Sequence, residues 1–220
     1  MDITLNAVEV RVVGSLIEKQ HVTPEYYPLT LNALVNACNQ LTNRDPVVSY
    51  DETTVSQTLH SLRKKQLIRA ISGPDIRVPK YEQALTELFH INMAETAVLC
   101  VLMLRGPQTA GELRSRTGRL YNFEGLAEVE NTLQRLITRE PQPLVTKLPR
   151  QPGTKESRYA HLLAGDVEVE EKTIVLPVTP ALDSVSDDER IVRLEEEVET
   201  LKQELDELKR QFQIFRQQFE

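Results

Sequence analysis

Apolar positions in this chain follow a helical period, and they do so twice. Val55, Leu59 and Leu62 fall at i, i+4 and i+7, one stripe of a helix. Val129, Leu133 and Leu136 repeat that spacing 74 positions later, where "VENTLQRL" answers "VSQTLHSL". Each stripe leads into a short extended run, "QLIRAI" or "PLVTKL", then a turn with Gly and Pro, "SGPD" or "RQPGTK". A second short run closes each copy, "IRVPKY" or "ESRYAHLL". The pattern predicts a helix followed by a β-hairpin in both copies.

The upstream segments match as well. "VEVRVVGSLIEKQ" aligns with "AETAVLCVLMLRG", so Glu9, Val12 and Leu16 answer to Glu95, Val98 and Leu102. A further helix is expected between the first and the repeated one. In the first copy it is "LTLNALVNACNQ", with Leu31, Leu34, Val35 and Cys38 on one face. In the second it is "TAGELRSRTG", where Thr109 and Glu112 have capping-box spacing and Gly118 is the stop. Three helices and a hairpin make a helix-turn-helix with a β-wing. The expected fold is therefore mainly α with small β-wings (α+β): a winged-helix domain at 1–85, a second at 86–164, an acidic linker at 165–189 and a coiled-coil helix at 190–220.

The last segment rests on its own periodicity. Ile191, Leu194, Val198, Leu201, Leu205 and Leu208 alternate spacings of three and four, continuing through Phe212, Phe215 and Phe219. Four heptads of this kind span about 44 Å at ~1.5 Å per residue. With Ile191 at position a, a parallel dimer pairs Arg190 with Glu195, Glu197 with Lys202 and Glu204 with Lys209 across the seam, each of opposite sign. A parallel homodimer through this helix is the expectation, and a helix folded back on its own chain is the alternative.

Charge changes the picture once it is divided. The chain of 220 residues has a formal net charge of −7. Residues 1–85 hold nine basic and nine acidic side chains, and residues 86–165 hold ten and eight. Residues 166–220 hold seven and sixteen, so the acidity belongs to the tail and does not argue against nucleic acid as a partner of the rest. Two cysteines, Cys38 and Cys100, cannot form a disulfide framework, and their apolar neighbours read as buried thiols in a reducing, cytoplasmic setting. No export signal is visible in "MDITLNAVEV" and no apolar run approaches a membrane span.

Candidate chemistry concentrates on the repeated helices. In the first copy Thr53, Thr54, Gln57 and His60 face outward and suit base edges. Arg63, Lys64, Lys65 and Arg69 follow and suit phosphates, with Arg77 and Lys80 beyond the wing tip. The second copy begins among Glu124, Glu128 and Glu130, which repel phosphates, although its wing carries Lys147, Arg150, Lys155 and Arg158. Arg150 and Lys155 are its candidate phosphate contacts. In "TPEYYPLT" the tyrosines Tyr26 and Tyr27 either meet a partner or close the domain edge, and in "NQLTNRDP" Arg44 either reaches phosphate or belongs to a structured turn. Spacings for metal ligands, a P-loop, a dinucleotide fingerprint or a nucleophile elbow are missing, so no metal, no cofactor and no enzymatic activity are expected.

The strings "TPEYYPLTLNALVNACNQ", "NRDPV", "VPKYE" and "LPRQPGTKESRYAHLL" resemble the YceH family of bacteria over roughly residues 5–163. The resemblance implies two winged-helix domains in tandem and carries no settled biochemical function. One departure is Leu41-Thr42, where Lys-Ser is usual in that family. Two functions remain in view. The first is regulatory binding of double-stranded DNA by the first domain. The second is a protein-interaction scaffold, similar to the bacterial chromosome-segregation adaptor that partners condensin, using the acidic helix of the second domain and Tyr26/Tyr27.

Overall fold

A computed structural model of the chain describes residues 3–73, 76–150 and 156–165. The expected linker beyond Gly165, the 190–220 helix with its seam from Ile191 to Leu208, and Lys155 lie outside the described residues. Everything described belongs to one compact unit, Met1–Val169.

The first repeat opens with α1 (Ala7–Val22), whose start is set by a capping box. Asn6 accepts from the Glu9 backbone N–H, and Glu9 accepts from the Asn6 N–H, both at 2.9 Å. A 3₁₀ turn at Pro24–Tyr26 and the two-residue strand β1 (Leu29–Thr30) lead into α2 (Leu31–Cys38), capped by Thr30. Asp51 caps α3 (Glu52–Lys64), and the hairpin β2 (Ile68–Gly73)–β3 (Ile76–Gln83) follows. The short α4 (Leu85–Leu88) joins the repeats.

The second repeat follows the same order. Asn92 and Glu95 form a capping box for α5 (Met93–Arg105), and Thr109 and Glu112 form another for α6 (Ala110–Thr117). Then come α7 (Leu126–Ile137) and the strands β4 (Val145–Lys147) and β5 (Tyr159–His161). Even the small strand β1 has an answer. β1 pairs with β3 beside β2, and Gln108, just before the α6 cap, bridges antiparallel to Tyr159 of β5. Among the described residues the protein is thus a mixed α/β structure of seven α-helices with small antiparallel sheets.

The helices α1 and α5 show why the repeats share one continuous core. Residues 9–17 of α1 and 94–104 of α5 are buried on every face, not along a single stripe. Each helix packs its own repeat on one side and the other repeat on the opposite side. Gly14 lies at their crossing: a Cβ there would stand 3.0 Å from Leu104 Cδ2 and 3.2 Å from Met103 Cβ. The Cys100 thiol points at the Gly14 carbonyl, 3.6 Å away and 86 residues earlier in sequence. Glu9 and Glu95 have the same offset, so the helices cross where equivalent positions of the two repeats meet.

Candidate nucleic-acid interface

α3 is held by its apolar stripe. Val55, Leu59 and Leu62 are each at most 2% exposed, as the i, i+4, i+7 pattern requires. Thr58 is buried as well and donates its hydroxyl to the Thr54 carbonyl at 2.7 Å. At the start of the helix, Asp51 accepts from the Thr54 N–H at 2.7 Å. Hydrogen bonds from Thr54 hold that carboxyl below its usual range, keeping the cap ionised.

Opposite the stripe the helix is open. Thr53, Gln57, His60 and Lys64 are exposed and fall at i, i+4, i+7 and i+11, one straight row along the outer face. Ser56 and Arg63 flank it, also exposed. Thr54 is half-buried, its backbone engaged by Asp51 and Thr58, so it sits at the margin of the row.

The cationic rim divides in two. Arg63 and Lys64 carry no ion pair among the described residues, whereas Lys65 and Arg69 do. Lys65 Nζ stands 2.7 Å from Glu9 Oε2 and donates to the Thr4 carbonyl at 2.8 Å. Glu9 is 1% exposed and also accepts from Ser61 Oγ at 2.7 Å. Burial pushes the Glu9 carboxyl up, but Lys65, Ser61 and the Asn6 N–H together outweigh it and leave it below its ordinary value. Arg69 pairs with Glu87 and stands 3.6 Å from Glu82 across the hairpin. Arg77 and Arg150 are exposed, and Lys80 is half-buried.

The second repeat carries a variation on the same buried carboxylate. Glu95, 6% exposed, accepts from Arg135 of α7 at 3.2 Å, Arg135 standing where Ser61 stands in α3. Of the three glutamates near the start of α7, Glu128 turns inward and accepts from Tyr121 Oη at 2.8 Å and the Glu124 N–H at 2.9 Å. Glu124 and Glu130 remain exposed beside Leu126, which is 44% exposed. In the second wing Lys147 lies 5.9 Å from the centre of the Tyr159 ring, and Arg158 pairs with Glu112 at 3.0 Å.

The two loops resolve into structure. Tyr27 is half-buried and its hydroxyl accepts from the Gln83 N–H at 2.7 Å, while Tyr26 is 73% exposed. Arg44 points inward, away from any phosphate. It is 6% exposed, donates to both Glu18 carboxylate oxygens (2.6 and 3.1 Å), and reaches the Ala37 carbonyl at 2.8 Å. Burial raises both thiols, Cys38 to about 11 and Cys100 further. Among the described residues no three His, Cys, Asp or Glu side chains are placed to hold a metal ion, and no helix is long and apolar enough to cross a membrane.

Comparison with known proteins adds a family. Residues 5–154 match the family described as "Protein of unknown function, DUF480". A UPF0502 protein of Opitutus terrae is 59% identical over 165 residues, covering 75% of this chain and 72% of that protein. A UPF0502 protein of Solibacter usitatus is 56% identical over 200 residues, covering 90% of this chain and 93% of its own. One from Geotalea daltonii is 54% identical over 197 residues, covering 90% and 89%.

Proposed function

For this chain, which belongs to the DUF480 family, the group of bacterial proteins that includes the UPF0502 relatives, we propose a role as a double-stranded DNA-binding regulator built from two winged-helix repeats. α2 and α3 form the helix-turn-helix of the first repeat, β2 and β3 its wing, and α3 lies in the major groove. The observation that carries this reading is the open row Thr53, Gln57, His60 and Lys64, with Arg63 beside it. Its side chains are polar and uncharged where base edges would lie and cationic toward the end of the helix. Helices α1 and α5 pack the repeats together without covering that face.

The internal ion pairs reduce the phosphate contacts the site has available. Lys65 and Arg69 are engaged, which leaves Arg63, Lys64 and the wing residue Arg77 as the main candidates. At a slope of about −0.9 per neutralised phosphate, three contacts give a log K against log salt slope near −3 for each chain. The heptad pattern in the sequence of residues 190–220 supports a parallel dimer, which would set two copies of α3 on symmetric half-sites. The second repeat contributes through Arg150 and its wing, because Glu124 and Glu130 oppose phosphate at the start of α7.

A protein scaffold is the other reading. The observation behind it is that exposed Leu126, at the start of α7, lies between Glu124 just before the helix and Glu130 within it. Selection of genomic fragments by the full chain and by an Arg63→Glu/Lys64→Glu variant separates the two. This pair replaces the exposed cations and leaves Lys65 with Glu9, so the fold is not confounded. The DNA reading expects a shared motif recovered by the native chain and lost in the variant. Motif-free, equal recovery by both ends it in favour of the scaffold.

A further inference from the structure

The second helix of the second repeat, the end of α5 and the α1 helix of the first repeat enclose a small cleft of about 50 Å³. Its rim is cationic, formed by Arg105, Arg116 and Arg119, and Val22 and Leu120 contribute an apolar floor. The acidic groups nearby are already used. Glu18, which lines the same cleft, gives both carboxylate oxygens to Arg44. Glu112 gives one oxygen to Arg158 at 3.0 Å and to the Thr109 N–H at 2.9 Å, and its other oxygen stands 3.5 Å from Arg116. Arg105 meets only the neutral Asn43 side-chain amide, and Arg119 has no ion pair among the described residues. Glu18, and less strongly Asp45, which is exposed in the same loop as Asn43, offset part of the Arg105 charge.

We propose that this cleft binds a tetrahedral oxyanion, a phosphate group, held between Arg105, Arg116 and Arg119. Three guanidiniums around one small space repel one another unless an anion lies among them. Burial first and then the neighbouring Arg116 cation lower the basicity of Arg105, Glu18 opposing them and Arg44 adding to them. Guanidinium geometry matches phosphate oxygens bidentately, and the space is that of a single such group. The occupant joins the end of α5 to α6 and to Arg119 just beyond it, so binding stabilises the second repeat. A phosphomonoester would keep its carbon end outside the cleft, so free phosphate and an ester share the same held group. The site is separate from the α3 face and stands or falls apart from the DNA reading.

The test is calorimetric titration of the full chain with inorganic phosphate and with glycerol phosphate, ionic strength held constant with chloride. Saturable binding of one anion per chain is expected, weakened at least tenfold in Arg116→Gln/Arg119→Gln and in Arg119→Gln alone. Tighter binding of the ester identifies a metabolite as the source, and equal binding identifies free phosphate. Without anion, Arg119→Gln should melt at or above the native temperature, because it relieves cation repulsion; a merely structural arginine would lower it. Absence of saturation above the chloride control, or unchanged affinity in the double variant, overturns the proposal. So does loss of duplex DNA affinity in Arg119→Gln without any phosphate saturation.

Discussion

Lys64 and Lys65 stand side by side in sequence, and replacing each by alanine should have opposite consequences. Lys65→Ala removes an ammonium 2.7 Å from a carboxylate that is 1% exposed, leaving Glu9 with Ser61 and the Asn6 N–H. Breaking a buried pair from one side costs about 3–5 kcal/mol. Lys65 is itself 32% exposed, so water takes over part of its role, and about 2 kcal/mol is the expected loss. For a unit of this size that lowers the melting temperature by roughly 4–8 °C. Lys64→Ala touches no described partner and should change stability by less than about 0.5 kcal/mol. In DNA binding the order reverses. Lys64→Ala should weaken all duplexes alike and reduce the salt slope by about one, while Lys65→Ala, still folded at low temperature, should bind nearly as the native chain does. Because Glu9 titrates below its ordinary 4.5, the pair contributes above that pH and is lost as pH falls below it, so the stability gap between native and Lys65→Ala should close in acid. Urea titration followed by circular dichroism, paired with duplex binding, reads both effects. A Lys65→Ala protein as stable as the native one, or a Lys64→Ala protein destabilised by more than about 1 kcal/mol, refutes this assignment.

Arg44→Ala should cost about 3–5 kcal/mol, measured by the urea midpoint, because it strands Glu18 and removes the donors that hold the Ala37 carbonyl. His161 is held neutral by burial, its pKa lowered from 6.5 to about 4. The folded state therefore binds fewer protons than the unfolded one between those values. Stability should be full above 6.5 and fall with acid toward about 4, by up to ~1.4 kcal/mol per unit of pH, and His161→Phe should flatten that slope. Cys38 and Cys100 should resist a thiol reagent at pH 8 in the native protein and react fully in urea; prompt native reaction of either would contradict their burial.

The elements readable from the sequence are those whose evidence is local. The stripe of Val55, Leu59 and Leu62 is buried as its spacing requires, and the hairpin after it follows the turn residues. Strand β1 is not readable at two residues long, since Leu29 and Thr30 become a strand only by meeting Tyr81 and Lys80. The short α4 is also not readable at four residues; the Gln83 side chain accepts from the Thr86 N–H at 3.1 Å and Leu85 is buried. The site was half legible. That Gln57 and His60 face outward follows from periodicity, but the engagement of Lys65 depends on Glu9, 56 residues away. A signal for it did exist: Asn6–Glu9 and Asn92–Glu95 are matching capping boxes, so both repeats place a carboxylate at the base of the first helix. For Arg44 the structured turn is the alternative that holds, and its partner Glu18, 26 residues earlier, is not marked by any residue adjacent in sequence.

Whether the outer row of α3 reads DNA is decided on a duplex recovered by selection. Binding of the full chain to that duplex and to a scrambled one is measured against salt concentration for the native protein, Gln57→Ala and Lys64→Ala. Gln57→Ala should lose about 1–3 kcal/mol of discrimination between the duplexes at an unchanged salt slope. Lys64→Ala should keep the discrimination and lose about one unit of slope. If both variants match the native protein in discrimination and slope, that face of α3 does not contact DNA.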